Sequence, residues 1–170
     1  GWSGLACTGD LEVFLEPNPQ VEAVWRDALE HLNLRQNVVI RTTLEDAPEH
    51  NFNTSVQPFK PFRARVETLE DGTNAFLEHW SPPPHLVIVG ANPISKPLSK
   101  IALELGCVVT LFDSTPEKLN PEWFPGVQNL LSGDLEQVLN LEQSDVWTAV
   151  VVVSHNYADE VFALRTALSS

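Results

Sequence analysis

Ser81-Pro82-Pro83-Pro84 interrupts the chain near its middle, and the pattern of apolar residues differs on its two sides. Proline fixes φ and has no N–H, so three in a row can join neither a helix interior nor a sheet ladder. Upstream, apolar residues mostly alternate with polar ones, as in strands that bury one face. Downstream they come in unbroken runs, HLVIVG (85–90), CVVTLFD (107–113) and TAVVVV (148–153), separated by helical patterns. Unbroken runs belong to strands buried on both faces, and strands alternating with helices build a parallel sheet with crossover helices. The sequence therefore predicts an α/β protein in two parts. A small β-rich (α+β) domain occupies residues 1–80, a Pro-rich linker 81–84, and a partial Rossmann-like domain of three layers 85–170.

In the first part, LEVFLEP (11–17) alternates as a strand, and Val21, Val24, Trp25, Ala28, Leu29 and Leu32 recur at helical spacing. NVVIRTT (37–43) reads as a strand and residues 44–61 as a long loop. Residues 62–68 and 73–80 flank an Asp71-Gly72 pair suited to a hairpin turn. In the second part, SKPLSKIALELG (95–106) reads as a helix ended by Gly106. A short strand at 129–131, a helix from Asp134 to about Asn140 and a helix over 158–168 complete the pattern.

Ten Lys and Arg against 23 Asp and Glu leave a net charge of −13. That surface repels phosphate backbones and anionic lipid, which excludes a general nucleic-acid or membrane-surface binder. No segment approaches the ~18 consecutive apolar residues of a membrane span. Two cysteines, Cys7 and Cys107, are too few for a disulfide framework and fit a reducing cytoplasm. The chain opens on Gly1 and contains no methionine, so it is expected to be a piece of something longer. There is no HExxH, CxxC, GxSxG or P-loop lysine, which removes support from zinc hydrolases, redox dithiols, α/β-hydrolases and P-loop nucleotidases.

The turn after the first buried strand is Gly90-Ala91-Asn92-Pro93-Ile94-Ser95, where a dinucleotide binder carries GxGxxG. Only the first glycine is present. Asn92 tolerates positive φ, but Pro93 and Pro97 remove two amides that could face an anion. With Ser95 as N-cap, Pro97 falls in the first helical turn. Asp113 stands 23 residues after Gly90, where a ribose-binding acid belongs. The turn is either a dinucleotide site or a turn kept for folding. His155, in Ser154-His155-Asn156, lies at the carboxyl end of a strand, the edge where open α/β sheets hold ligands; it can contact a ligand or cap the next helix. Cys7 sits in a small-residue loop, as a thiolate ligand or as an ordinary packed residue. Lys60, Arg63 and Arg65 are the densest basic cluster, able to meet a phosphate or simply solvated.

Taken together, GLACTGDLEVFLEP (4–17), PPPHLVIVGANPISKPLSKIALELGCVVTLFD (82–113), WFPGVQNLLSGD (123–134) and the stretch 148–170 resemble, in order, the XdhC/CoxI family of accessory factors for molybdenum hydroxylases. The resemblance implies a maturation factor rather than an enzyme. Such a factor binds the molybdenum cofactor (molybdopterin), assists its sulfuration with a cysteine desulfurase, and delivers it to an enzyme such as xanthine dehydrogenase. Cys7 matches the family's loop cysteine and thus its metal-side ligand, and His155 matches its strand-end histidine. Gly90, Asn92, Asp113, Arg63 and Arg65 complete the expected cofactor contacts, in a cleft between the two parts. Thr8 replaces the family's second loop glycine, and Asn92-Pro93 replaces the end of its GAGH turn, so the chain resembles a truncated or divergent member. Two alternatives stand beside this reading: an NAD(P)-dependent oxidoreductase using Gly90 and Asp113, and an interaction scaffold without a small ligand. An incomplete sheet leaves an edge, so pairing into a homo-oligomer is also expected.

Overall fold

The computed structural model describes residues 22–45, 48–55, 64–141 and 144–169. It contains two four-stranded sheets, one antiparallel and one parallel. The strand read at 11–17, with the Cys7 loop before it, lies outside the described residues, as do Lys60 and Arg63.

Helix α1 (Glu22–Asn33) precedes strands β1 (Asn37–Thr43), β2 (His50–Ser55), β3 (Ala64–Thr68) and β4 (Asn74–Trp80), which pair antiparallel in the order β2-β1-β4-β3. Ala28 on α1 meets Val38 and Ile40 of the central strand β1, with Val24, Trp25, Leu32 and Phe52 around them. The helical spacing of Val24, Trp25, Ala28 and Leu32 is what aims them at one sheet face. Trp25 meets Trp80 edge-to-face at 5.4 Å. Strand β2 lies inside the segment read from sequence as loop. HNFNTS has no apolar alternation because it is an outer strand. Its ladder to β1 and a single apolar side chain, Phe52, hold it.

After Pro82–Pro84 come β5 (His85–Val89), α2 (Ser95–Glu104), β6 (Val108–Phe112), β7 (Asn129–Leu131), α3 (Leu135–Val138), β8 (Thr148–Val152) and α4 (Tyr157–Ala167). All four strands run parallel in the order β7-β6-β5-β8. The chain goes outward from β5 to β7 and then returns to the other side of β5, so the order reverses between β5 and β8. Successive residues of β5 face opposite sides. Val87 and Val89 pack with Phe112, Leu135, Leu139, Leu141 and Ala163. Ile88 packs with Ala91, Ala102, Val109, Leu111 and Phe124. Helices α3 and α4 supply one layer and α2 the other, the three-layer α/β arrangement expected of continuous apolar strands.

The two sheets are tied through Arg35. Its guanidinium makes a two-pronged bond to Asp145, at 2.7 and 2.9 Å, and donates to the Pro83 carbonyl at 2.7 Å. Arg35 holds a left-handed φ of 64°, which turns the chain from α1 into β1. Among the described residues, no helix is long and apolar enough to cross a membrane.

Candidate functional site

In an open parallel sheet, the loops at the carboxyl ends of the strands diverge where the strand order reverses, leaving a crevice for ligand. Here that point lies between β5 and β8, and it brings together the Gly90 turn, the end of β6 at Asp113 and the Ser154-His155-Asn156 segment.

Gly90 adopts φ +112°, and a Cβ built on it would lie 2.6 Å from both Cα and N of Ser154. The glycine is therefore demanded by the approach of two backbones across the switch point. Asn92 spans the same gap: its side-chain amide donates to the Val153 carbonyl, while its Oδ1 accepts the Ile94 N–H at 2.8 Å and the Ser95 N–H at 3.3 Å. Ser95 is fully buried rather than capping. Ile94 occupies the cap position, and the Ser95 hydroxyl donates to the Gly90 carbonyl and accepts the Asn92 N–H. Pro97 does fall in the first turn of α2.

Asp113 closes the turn from below. One oxygen accepts the Ala91 N–H at 2.8 Å, the other the Thr115 N–H at 2.8 Å, and Lys118 Nζ lies 3.2 and 3.3 Å from the pair. Burial by itself would raise its pKa, but the two backbone donors and the Lys118 ammonium together hold it below the ordinary carboxylate value. Ala91, Asn92, Ile94 and Ser95 thus each donate their amide within the protein, and Pro93 and Pro97 have none. A pyrophosphate at a Rossmann turn is bound by just such amides, so this turn has no cradle to offer.

Alongside the turn lies a cavity of about 340 Å³ lined by Asn92, Lys96, Lys118, Trp123 and Phe124. Phe124 is an anchor in the core, 4% exposed, and it presents its neighbour Trp123 to the cavity at 49% exposure. Lys96 comes from the first turn of α2 and Lys118 from the single 3-10 turn (Pro116–Lys118) that follows β6. Sequence reasoning missed all three of Lys96, Lys118 and Trp123. They lie up to 27 residues apart in the chain, and no spacing rule joins them; the signal available was two of the few basic residues following successive βα turns. A wider depression on the antiparallel sheet, about 720 Å³, is lined by Arg41 with Glu45, Glu49, Glu70 and Asp71, a lining that repels anionic ligands.

Of the remaining residues singled out from sequence, His155 is exposed at the same sheet edge, between Val153 and α4. Asn156 caps α4, its Oδ1 accepting the Ala158 N–H at 3.0 Å. Arg65 lies on β3 in the antiparallel sheet, bonded to Glu67 at 2.8 Å. Cys7 and Arg63 fall outside the described residues, while Cys107 is a half-buried free thiol just before β6. Among the described residues, no group of three or more His, Cys, Asp or Glu is placed to hold a metal ion.

Comparison with known proteins adds to this geometry. The family model described as the XdhC Rossmann domain matches residues 86–170. A protein of Bacillus subtilis (strain 168), named as a probable xanthine dehydrogenase subunit, is 30% identical over 113 residues, 64% of this chain and 34% of its own length. The chain thus spans about a third of that relative. A crystal structure titled as a xanthine dehydrogenase from Bacillus halodurans superposes with a TM-score of 0.68 at 17% identity, over 88% of this chain and 50% of the other. At that identity the likeness is one of fold.

Proposed function

This chain belongs to the XdhC family, and from that premise we propose that it acts as a non-catalytic accessory factor for a molybdenum hydroxylase of the xanthine dehydrogenase kind. In this reading it receives the molybdenum cofactor, assists its sulfuration together with a cysteine desulfurase, and passes it to the client enzyme in the cytoplasm. The xanthine dehydrogenase naming of the relative supports the choice of client.

The observation that carries the choice over a dinucleotide-dependent oxidoreductase is the saturation of the Gly90 turn. NAD(P) would need amides that Asp113, Ser95 and Asn92 already hold. A cofactor with a single terminal phosphate asks less. The chemistry of the donors fits such a group beside the turn, where Lys96 and Lys118 supply cationic side chains at the cavity edge. When bound, the cofactor would bring a pterin, a phosphate and a thiophilic metal. Cys7 and His155 are the residues this reading assigns to the metal side and to the sheet edge, and Asn92 and Asp113 hold the turn between them. Arg63 and Arg65 are the alternative phosphate contacts of this reading, and Arg65 is bonded to Glu67 on β3.

The experiment is purification from cells that make the cofactor, followed by oxidation and detection of the fluorescent pterin. Bound pterin in the wild type, with transfer to an apo-hydroxylase on mixing, is expected. Its absence with Cys7 intact would count against the proposal, and capture of the hydroxylase without any pterin would favour a ligand-free scaffold instead.

A further inference from the structure

The cavity beside the Gly90 turn holds a combination that folding does not require. Trp123 leaves about half of its surface in water although Phe124 next to it is buried, and burying a ring of that size would stabilise the protein if nothing else opposed it. Two ammonium groups line the same cavity, and its lining contains no carboxylate, in a chain whose net charge is −13. Lys118 is held by Asp113 only in part. Its side chain is 52% exposed, and Asp113 keeps two backbone donors whether or not Lys118 stays with it. The ammonium can therefore turn to an incoming anion without stranding a buried carboxylate.

We propose that this cavity binds a planar heteroaromatic ring bearing one terminal phosphate, with the ring against Trp123 and the phosphate met by Lys96 and Lys118, and that it rejects pyrophosphate-linked dinucleotides. The rejection follows from the turn: a bridging pyrophosphate at a Rossmann turn lies against the amides of residues 91–95, each of which is occupied or, at Pro93, absent, whereas a terminal phosphate reaches lysine side chains at the rim. The volume agrees, since about 340 Å³ lies at the low end of small-molecule sites, roughly 300–1,000 Å³. A phosphopterin and a nucleoside monophosphate share this chemistry. The inference rests on the proposed function only in choosing the phosphopterin between them.

The test is a titration of the purified chain with oxidised molybdopterin, with AMP and with NAD+, following tryptophan fluorescence. At least one monophosphate is expected to bind, more than about tenfold tighter than NAD+, and to weaken with added salt because both lysines are exposed. A Lys96→Gln/Lys118→Gln variant and Trp123→Ala should each weaken binding about tenfold or more, while Lys118→Arg and Trp123→Phe retain it. All these positions are at the surface, and circular dichroism with a thermal melt verifies that each variant folds. NAD+ binding as tightly as a monophosphate, no binding of either monophosphate, or full binding by the charge variant would each overturn the inference. The two readings fail separately. Pterin that co-purifies equally with wild type and charge variant removes this site and leaves the maturation role. AMP binding that the variants abolish, with no response to phosphopterin, keeps the site and removes the cofactor from the proposed function.

Discussion

Gly90 shows how a residue with one family meaning acquires another from its surroundings. In a dinucleotide binder the first glycine of the turn serves the tight bend; here it also serves contact, because the end of β8 passes where a side chain would be. Alanine there would combine a disfavoured φ with a backbone clash of 2.6 Å, and neither Ser154 atom belongs to a side chain that could swing away. Gly90→Ala should therefore cost about 2–4 kcal/mol, read as a fall in Tm and in the urea midpoint, with loss of any ligand response at the adjoining cavity. A variant as stable as wild type would mean that β5 and β8 do not approach as described. Asn92 and Asp113 were read from sequence as ligand contacts. The described bonds give both of them structural work, as the side chains that together with Ser95 use up the amides of the turn. That role depends on atoms distant in sequence, the Val153 carbonyl for Asn92 and the Ala91 amide for Asp113, and could not be inferred from residue type alone.

The elements differ in how much of themselves they declared beforehand. β5, β6 and β8 were readable because continuous apolar runs of five residues or so, set between helical patterns, have few other solutions than a buried parallel strand. β2 was not, since a polar outer strand takes its conformation from the partner it pairs with. The capping residues were ambiguous for a different reason. Ser95, Ser154, His155 and Asn156 all lie at helix starts, and a cap is decided by backbone geometry within a residue or so. In the structure Asn156 caps α4, whereas Ser95 turns inward. Replacing Asn156 by alanine should lower stability by about 1 kcal/mol, measured by denaturant unfolding, while Ser154→Ala, which removes only an acceptor for the Asn156 N–H, should cost less. Equal losses from the two would contradict the assignment of the cap. α4 buries only Ala163 fully and leaves Tyr157 and Leu164 exposed, so its stability depends more on that cap than a well-packed helix would.

The joining of the two sheets is a matter for the molecule as a whole. Arg35 bonds Asp145 and the Pro83 carbonyl at once, and the Arg35 side-chain bond dominates the forces that bring the Asp145 pKa down from 3.8 to about 2. A carboxylate with a folded pKa below its unfolded one stabilises the protein above about pH 4 and ceases to do so as pH falls toward 2. The two side chains are 32% and 29% exposed, so solvent screening limits the gain to about 1 kcal/mol. Asp145→Asn should accordingly be less stable than wild type by about that amount at neutral pH, with the difference vanishing between pH 4 and pH 2 in urea titrations. A difference that persists at pH 2 would show that packing rather than charge holds the joint. By itself the sequence determined the two classes of strand, the break at Pro82–Pro84, the acidic balance of charge, and the family. All of these are written in local pattern, in composition or in motif order. Only the tertiary structure decided that the Gly90 turn is sealed, that Lys96, Lys118 and Trp123 share one cavity, and that Arg35 binds Asp145 across 110 residues of chain. Those features depend on which distant backbone and side-chain atoms come within hydrogen-bonding or van der Waals reach, and no local period encodes that.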